Sequence, residues 1–151
     1  MYFKGISVDR ARCQRVVPLA QLATDLQKGQ LPDLVWVTPN LQHDMHDGSI
    51  AEGDQWLAGF LPPLLASPAW QQGGVVFIVW DEGTSNAGYG GASGGGRTLA
   101  VIVAAAGRRA YSSDAPYNQY SLLRTLEDAW HLGYLGHAGD ADIQNLAEFF
   151  P

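Results

Sequence analysis

Asp81 and Glu82 stand side by side between the apolar run VVFIVW and Gly83. Two adjacent carboxylates repel each other unless a cation or a proton separates them. A hard divalent cation held by oxygen atoms removes that conflict. The alternative is that both are solvated loop residues. The densest cluster of ligand-type side chains lies elsewhere, in QHDMHDG, which holds His43, Asp44, His46 and Asp47. His46 could donate to a phosphate oxygen, act as a general acid, or bind a metal. Outside a helix, H-x-x-H describes two solvent-facing histidines equally well.

Other chemical patterns are weaker. Residues 91–95 read G-x-S-x-G, centred on Ser93. A nucleophile elbow needs a strand before the serine and a helix after it, whereas a glycine loop precedes Ser93 and an apolar, strand-like run follows. The loop also lacks the Lys-Ser/Thr ending of a phosphate-binding P-loop. A serine hydrolase built on Ser93 is therefore a third reading, and it predicts esterase activity that ignores chelators. Arg97, at the start of the next strand, is read as surface. His131, at a helix end, suits the negative end of the helix dipole. His137 has no evident partner.

The elements that must position these residues follow from periodicity. PLAQLATDLQKG places Leu19, Leu22 and Leu26 at helical spacing, and Gly29 ends the pattern. Residues 34–37 form a short β-rich run next to a proline, read as a strand, and the histidine-containing loop follows it. GDQWLAGFLPPLLASPAW is helical, with Asp54 as a candidate cap and an apolar face of Trp56, Leu57, Phe60, Leu61, Leu64 and Leu65. Pro62 and Pro63 predict a kink or break within it. GGVVFIVW and TLAVIVAAA are apolar without alternation, as strands covered on both faces are. YNQYSLLRTLEDAWHL is a helix with Leu122, Leu123, Leu126 and Trp130 on one side. DADIQNLAEFF is read as a closing helix. Alternating strands and helices predict an α/β fold with a mainly parallel sheet flanked by helices. Three strands make a small sheet, which suggests that part of the domain is missing.

The totals bound the function. The chain has 151 residues, 46% hydrophobic and 16% charged, with a formal net charge of −6, which fits a folded globular chain. The negative charge without a basic stripe argues against nucleic acid as a partner, but a bound metal could still admit an anionic substrate. Cys13 is the single cysteine, so no internal disulfide forms. No apolar stretch reaches transmembrane length. The opening MYFKGISVDRARC lacks the features of a signal peptide, and localisation stays open.

Taken together, the ordered stretches VVPLAQLATDLQKGQLPDLVWVTPNLQHDMHDG, GDQWLAGFLPPLLASPAW, VVFIVWDEG, GGGRTLAVIVAA and YNQYSLLRTLEDAWHLGYLG resemble the C-terminal part of a phosphoesterase family. That family contains bacterial phospholipases C and an acid phosphatase, and has an alkaline-phosphatase-like fold. The resemblance implies that residues 1–151 form a single, incomplete phosphoesterase domain. It implies that Asp81 and Glu82 are part of a divalent-metal site, the metal's identity being open. It also implies that His46 contacts the substrate phosphate as a catalytic residue, converging on one pocket with the acidic pair.

The implied function is metal-assisted hydrolysis of a phosphate ester, a phospholipid headgroup among the candidate substrates. Relatives of this type are often exported. They carry, further toward the N-terminus, an early Glu-Asn metal pair, a Ser or Thr nucleophile, and a histidine just before the segment matching YFKGI. None of these is in this sequence, so the chain is expected to be inactive alone. Gln119 stands where many relatives have histidine, and His43 where a small polar residue is expected. The alternative is a noncatalytic module that self-associates, as a homo-oligomer, through exposed sheet edges.

Overall fold

A computed structural model describes residues 3–83 and 95–151. They fall into two compact units, Met1–Gln72 and Gly73–Pro151.

The first unit is helical. Two single turns, α1 (Lys4–Ser7) and α2 (Arg10–Cys13), precede α3 (Ala20–Lys28). Asp9 caps α2 by accepting the Arg12 amide at 3.1 Å. Helix α3 ends as expected at Gly29, whose φ of 62° is left-handed and costs glycine little. No strand forms at residues 34–37, and Leu34, Val35 and Trp36 are exposed there. A strand exists only through a ladder partner, and none pairs with this run among the described residues.

Helix α4 (Ile50–Leu65) begins earlier than expected. Ser49, not Asp54, is the cap. The Ser49 hydroxyl accepts the Glu52 amide at 3.2 Å, and Glu52 accepts the Ser49 amide at 2.7 Å. This reciprocal box satisfies two amides that a helix start leaves without partners. The Ser49 amide first, and then the Ser49 hydroxyl, which lies 2.8 Å from the same carboxylate oxygen, hold the Glu52 carboxyl below the usual carboxylate range.

The helix runs through Pro62 and Pro63 without a break. Both prolines are exposed, as are Ala58 and Gly59, whose carbonyls lose their amide partners. Water can satisfy those carbonyls, so the usual cost of an interior proline is reduced. The break comes instead at Ser67, which caps α5 (Pro68–Gln71) with Pro68 at its first position. The predicted apolar face of α4 is half-buried at all six positions.

The second unit opens with β1 (Val75–Val79), which pairs with β2 (Ala100–Ala104). The pair is antiparallel, with Phe77 opposite Ile102 and Val79 opposite Ala100. Helix α6 (Gln119–Ala129) starts at Asn118, whose side chain accepts the amides of Tyr120 and Ser121. Behind it, residues 140–150 do not form the expected helix. They follow a 3-10 turn at Gly136–Gly139 and fold as irregular chain with one further 3-10 turn at Ala147–Phe149.

The reason for that departure is side-chain capture. Arg124 donates to the carbonyls of Ala138, Asp140 and Ile143 at 3.3, 2.9 and 2.8 Å. Thr125 accepts the Leu146 amide at 2.8 Å. These bonds replace an internal helical ladder and seat Ala138, Ile143 and Leu146 as the buried apolar residues of the described chain. His137, which has no evident partner in the sequence, lies 2.9 Å from Asp140 through Nδ1.

Two measurements check this second unit. Replacing Arg124 with Met removes a charged donor from three carbonyls, so urea unfolding is expected to show a loss of roughly 2–3 kcal/mol. The second measurement concerns Glu148, which accepts the hydroxyls of Tyr117 at 2.7 Å and Tyr111 at 2.9 Å. Burial first, then the bond to Glu148, pushes the Tyr117 phenol up to about 12. The folded state therefore favours the neutral phenol. Its contribution is complete below the ordinary value of 10.0 and disappears as pH climbs to about 12. Thermal melts of wild type and Tyr117→Phe should differ most near neutral pH and converge across that alkaline window.

Candidate functional site

The acidic doublet sits where β1 ends. Past Val79 the ladder with β2 stops, and the chain bends at Asp81. The Glu82 amide donates to Asp81 Oδ1 at 3.0 Å. The Gly83 amide donates across to the Gly95 carbonyl at 2.6 Å, so the two segments stay adjacent beyond the regular sheet. Gly83 is required there because a Cβ would lie 2.5 Å from the Arg97 carbonyl oxygen. The Gln119 side-chain amide donates to the carbonyls of Trp80 and Asp81, at 3.0 and 2.9 Å. Asp81 and Glu82 are both exposed.

Their chemistry suits a hard divalent cation: two carboxylates on a chain segment bonded to Gln119 and Gly95. They are only part of a coordination sphere, since such ions take about six or more oxygen ligands. No third His, Cys, Asp or Glu completes a metal-binding group with them among the described residues.

His46 belongs to the first unit, on the loop leading into α4. Local bonds build this loop. The Asn40 carbonyl accepts the amides of His43 and Asp44, each at 2.9 Å, and the Leu41 carbonyl accepts those of Asp47 and Gly48. Asp44 Oδ1 accepts the His46 amide at 2.9 Å. Met45 takes a left-handed φ of 72°, an uncommon conformation for a side-chain-bearing residue. A Cβ on Gly53 would collide with the Met45 side chain, and one on Gly48 with the Gln42 carbonyl.

The loop's two histidines are used differently. His43 stacks on Trp56 at 5.7 Å between ring centroids, and Trp56 stacks on Phe60 at 4.6 Å. His46 is exposed. His43 is thus a packing residue, and His46 is the histidine presented to solvent. Ser93 lies outside the described residues. Gln119 was visible in the sequence only as a departure from relatives. Its contact spans 38 residues, and no local pattern reports such a distance.

Comparison with known proteins identifies the class. The sequence profile of the Phosphoesterase family matches residues 3–133. This chain belongs to that family. It is 28% identical to a probable acid phosphatase of Kluyveromyces lactis over 95% of its own length and 34% of that protein's. It is 27% identical to a phosphate-repressible acid phosphatase of Penicillium chrysogenum, over 89% of this chain and 32% of the relative. A phosphatidylinositol-3-phosphatase of Mycobacterium tuberculosis is 32% identical over 74% of this chain and 34% of its own. The family is therefore fungal as well as bacterial. The chain spans about a third of the length of these relatives. No solved structure matches it.

The tight passage at Gly83 gives a direct check. Gly83→Ala forces the backbone of residues 83 or 97 to move, and overpacking of this kind costs about 1–3 kcal/mol. The midpoint of urea unfolding should fall accordingly. An unchanged midpoint would mean the two segments are not held together.

Proposed function

We propose that this chain forms the cation-binding and phosphate-contacting part of a phosphate ester hydrolase. Membership of the Phosphoesterase family supports that reaction class. The observation that carries the site assignment is the fixed, exposed acidic doublet at the exit of β1. The names of the relatives, acid phosphatases and a phosphatidylinositol phosphatase, favour a phosphomonoester over the diester that a phospholipase C cleaves. In the wider fold, further strands against the outer edges of β1 and β2 would make the mainly parallel α/β sheet expected of the family.

In this reading Asp81 and Glu82 would hold a divalent cation, while Asp81 Oδ1 also accepts the Glu82 amide. A cation there, when bound, stabilises the charge that develops on phosphoryl oxygens. His46 donates a proton or hydrogen bond to a phosphate oxygen. Its loop supports that role, because the amides of His43, Asp44, His46, Asp47 and Gly48 are bonded within it while His46 is exposed. None of these groups is a nucleophile; they bind and polarise the ester.

Binding of inorganic phosphate tests the assignment without requiring turnover. Calorimetry should show phosphate binding only with Mn²⁺ present. Asp81→Asn or Glu82→Gln should abolish it, and His46→Ala should weaken it about 10-fold. Turnover of a phosphate monoester, where measured, should fall about 100-fold or more in the doublet variants. A chain that neither binds phosphate nor turns over ester at any Mn²⁺ concentration, yet forms a stable dimer, would favour the noncatalytic module.

A further inference from the structure

We propose that Gln119 is a positioning residue for the acidic doublet: its amide holds the backbone of Trp80 and Asp81, and so sets how the two carboxylates leave the strand. This rests on the reading that the doublet binds a cation.

The argument starts from the two carbonyls. Trp80 and Asp81 lie beyond Val79, the last residue of β1 in the ladder. Their carbonyls have left the sheet and need other donors. Gln119 Nε2 supplies both, at 3.0 and 2.9 Å. An amide nitrogen carries two hydrogens, and two acceptors use both. The orientation of the amide is thereby fixed, because a flipped side chain would set its oxygen against two carbonyl oxygens.

The clamp is itself anchored. Gln119 is the first residue of α6, directly after the Asn118 cap. Ser121 of the same turn is 1% exposed, and its hydroxyl accepts the Asn118 amide at 3.2 Å. The helix start thus holds Gln119, and Gln119 holds residues 80 and 81. Within the same segment, the Glu82 amide donates to Asp81 Oδ1, and the Gly83 amide donates to the Gly95 carbonyl. Gln119 thus holds the segment through two carbonyls and Gly95 holds it through the Gly83 amide, while Asp81 Oδ1 is taken by the Glu82 amide.

Alternative residues at position 119 would do this differently. Met has similar length and no donor. Glu, ionised, turns acceptors toward acceptors. His can offer one N–H to the pair of carbonyls.

The test uses the whole chain and Mn²⁺ alone as probe, with hydrogen exchange of the metal-free protein as an independent readout. In Gln119→Met, the amides of Glu82 and Gly83 should exchange faster without metal, and the Mn²⁺ dissociation constant should rise about 10-fold. Gln119→His should fall between Met and wild type. The melting temperature of the rest of the fold should stay close to wild type, since Gln119 is exposed. Unchanged exchange at Glu82 and Gly83 in Gln119→Met would overturn the clamp. Unchanged Mn²⁺ affinity in that variant, with affinity lost in Asp81→Asn, would overturn the positioning role while leaving the cation site standing. Mn²⁺ binding that is absent in wild type, or indifferent to Asp81→Asn, would overturn the cation site and this proposal with it.

Discussion

Two negative charges on consecutive residues set the central constraint. In an extended strand, neighbouring side chains point to opposite faces, so a straight continuation of β1 would send Asp81 and Glu82 apart. The chain instead leaves the ladder after Val79 and bends at Asp81. That bend removes the carbonyls of Trp80 and Asp81 from the sheet, and the start of α6 takes them up through Gln119. The glycine at 83 then lets the departing chain pass against the Arg97 backbone. Each feature answers the problem made by the one before it. A strand must end for the doublet to turn, its end must be re-bonded, and the return segment must stay close.

The loop before α4 follows the same logic in different chemistry. Its backbone amides are bonded to Asn40, Leu41 and Asp44, and its most contorted residue, Met45, leans on a glycine of the helix it introduces. His43 stacks on Trp56 and so ties the loop to α4. His46 is left with an exposed ring on a restrained backbone. Such a division, with neighbours spent on structure and one side chain kept available, suits preorganised binding.

Much of this was legible in the sequence where local forces decide. The uninterrupted apolar runs became β1 and β2, the leucine spacing with Gly29 became α3, and the six apolar positions of α4 are the half-buried ones. The acidic doublet was visible as an electrostatic oddity before any fold was known. The start of α4 is also readable, because Ser49 and Glu52 have capping-box spacing, a stronger signal than the lone candidate Asp54. Reasoning failed where distant groups override local preference. The prolines of α4 are tolerated because they face solvent. The last segment abandons a helix because Arg124 and Thr125 claim its backbone groups. Residues 34–37 lack the partner that a strand requires. Gln119 could not have been found, because nothing near it in the sequence refers to Trp80 or Asp81.

The claim that the acidic doublet is a cation site is tested most directly by paramagnetic broadening of amide resonances on titration with Mn²⁺. If the account holds, the signals of Asp81, Glu82 and Gly83 broaden first at substoichiometric metal, and Asp81→Asn removes the effect. Broadening that begins elsewhere on this acidic chain, or spreads evenly over its carboxylates, would contradict it.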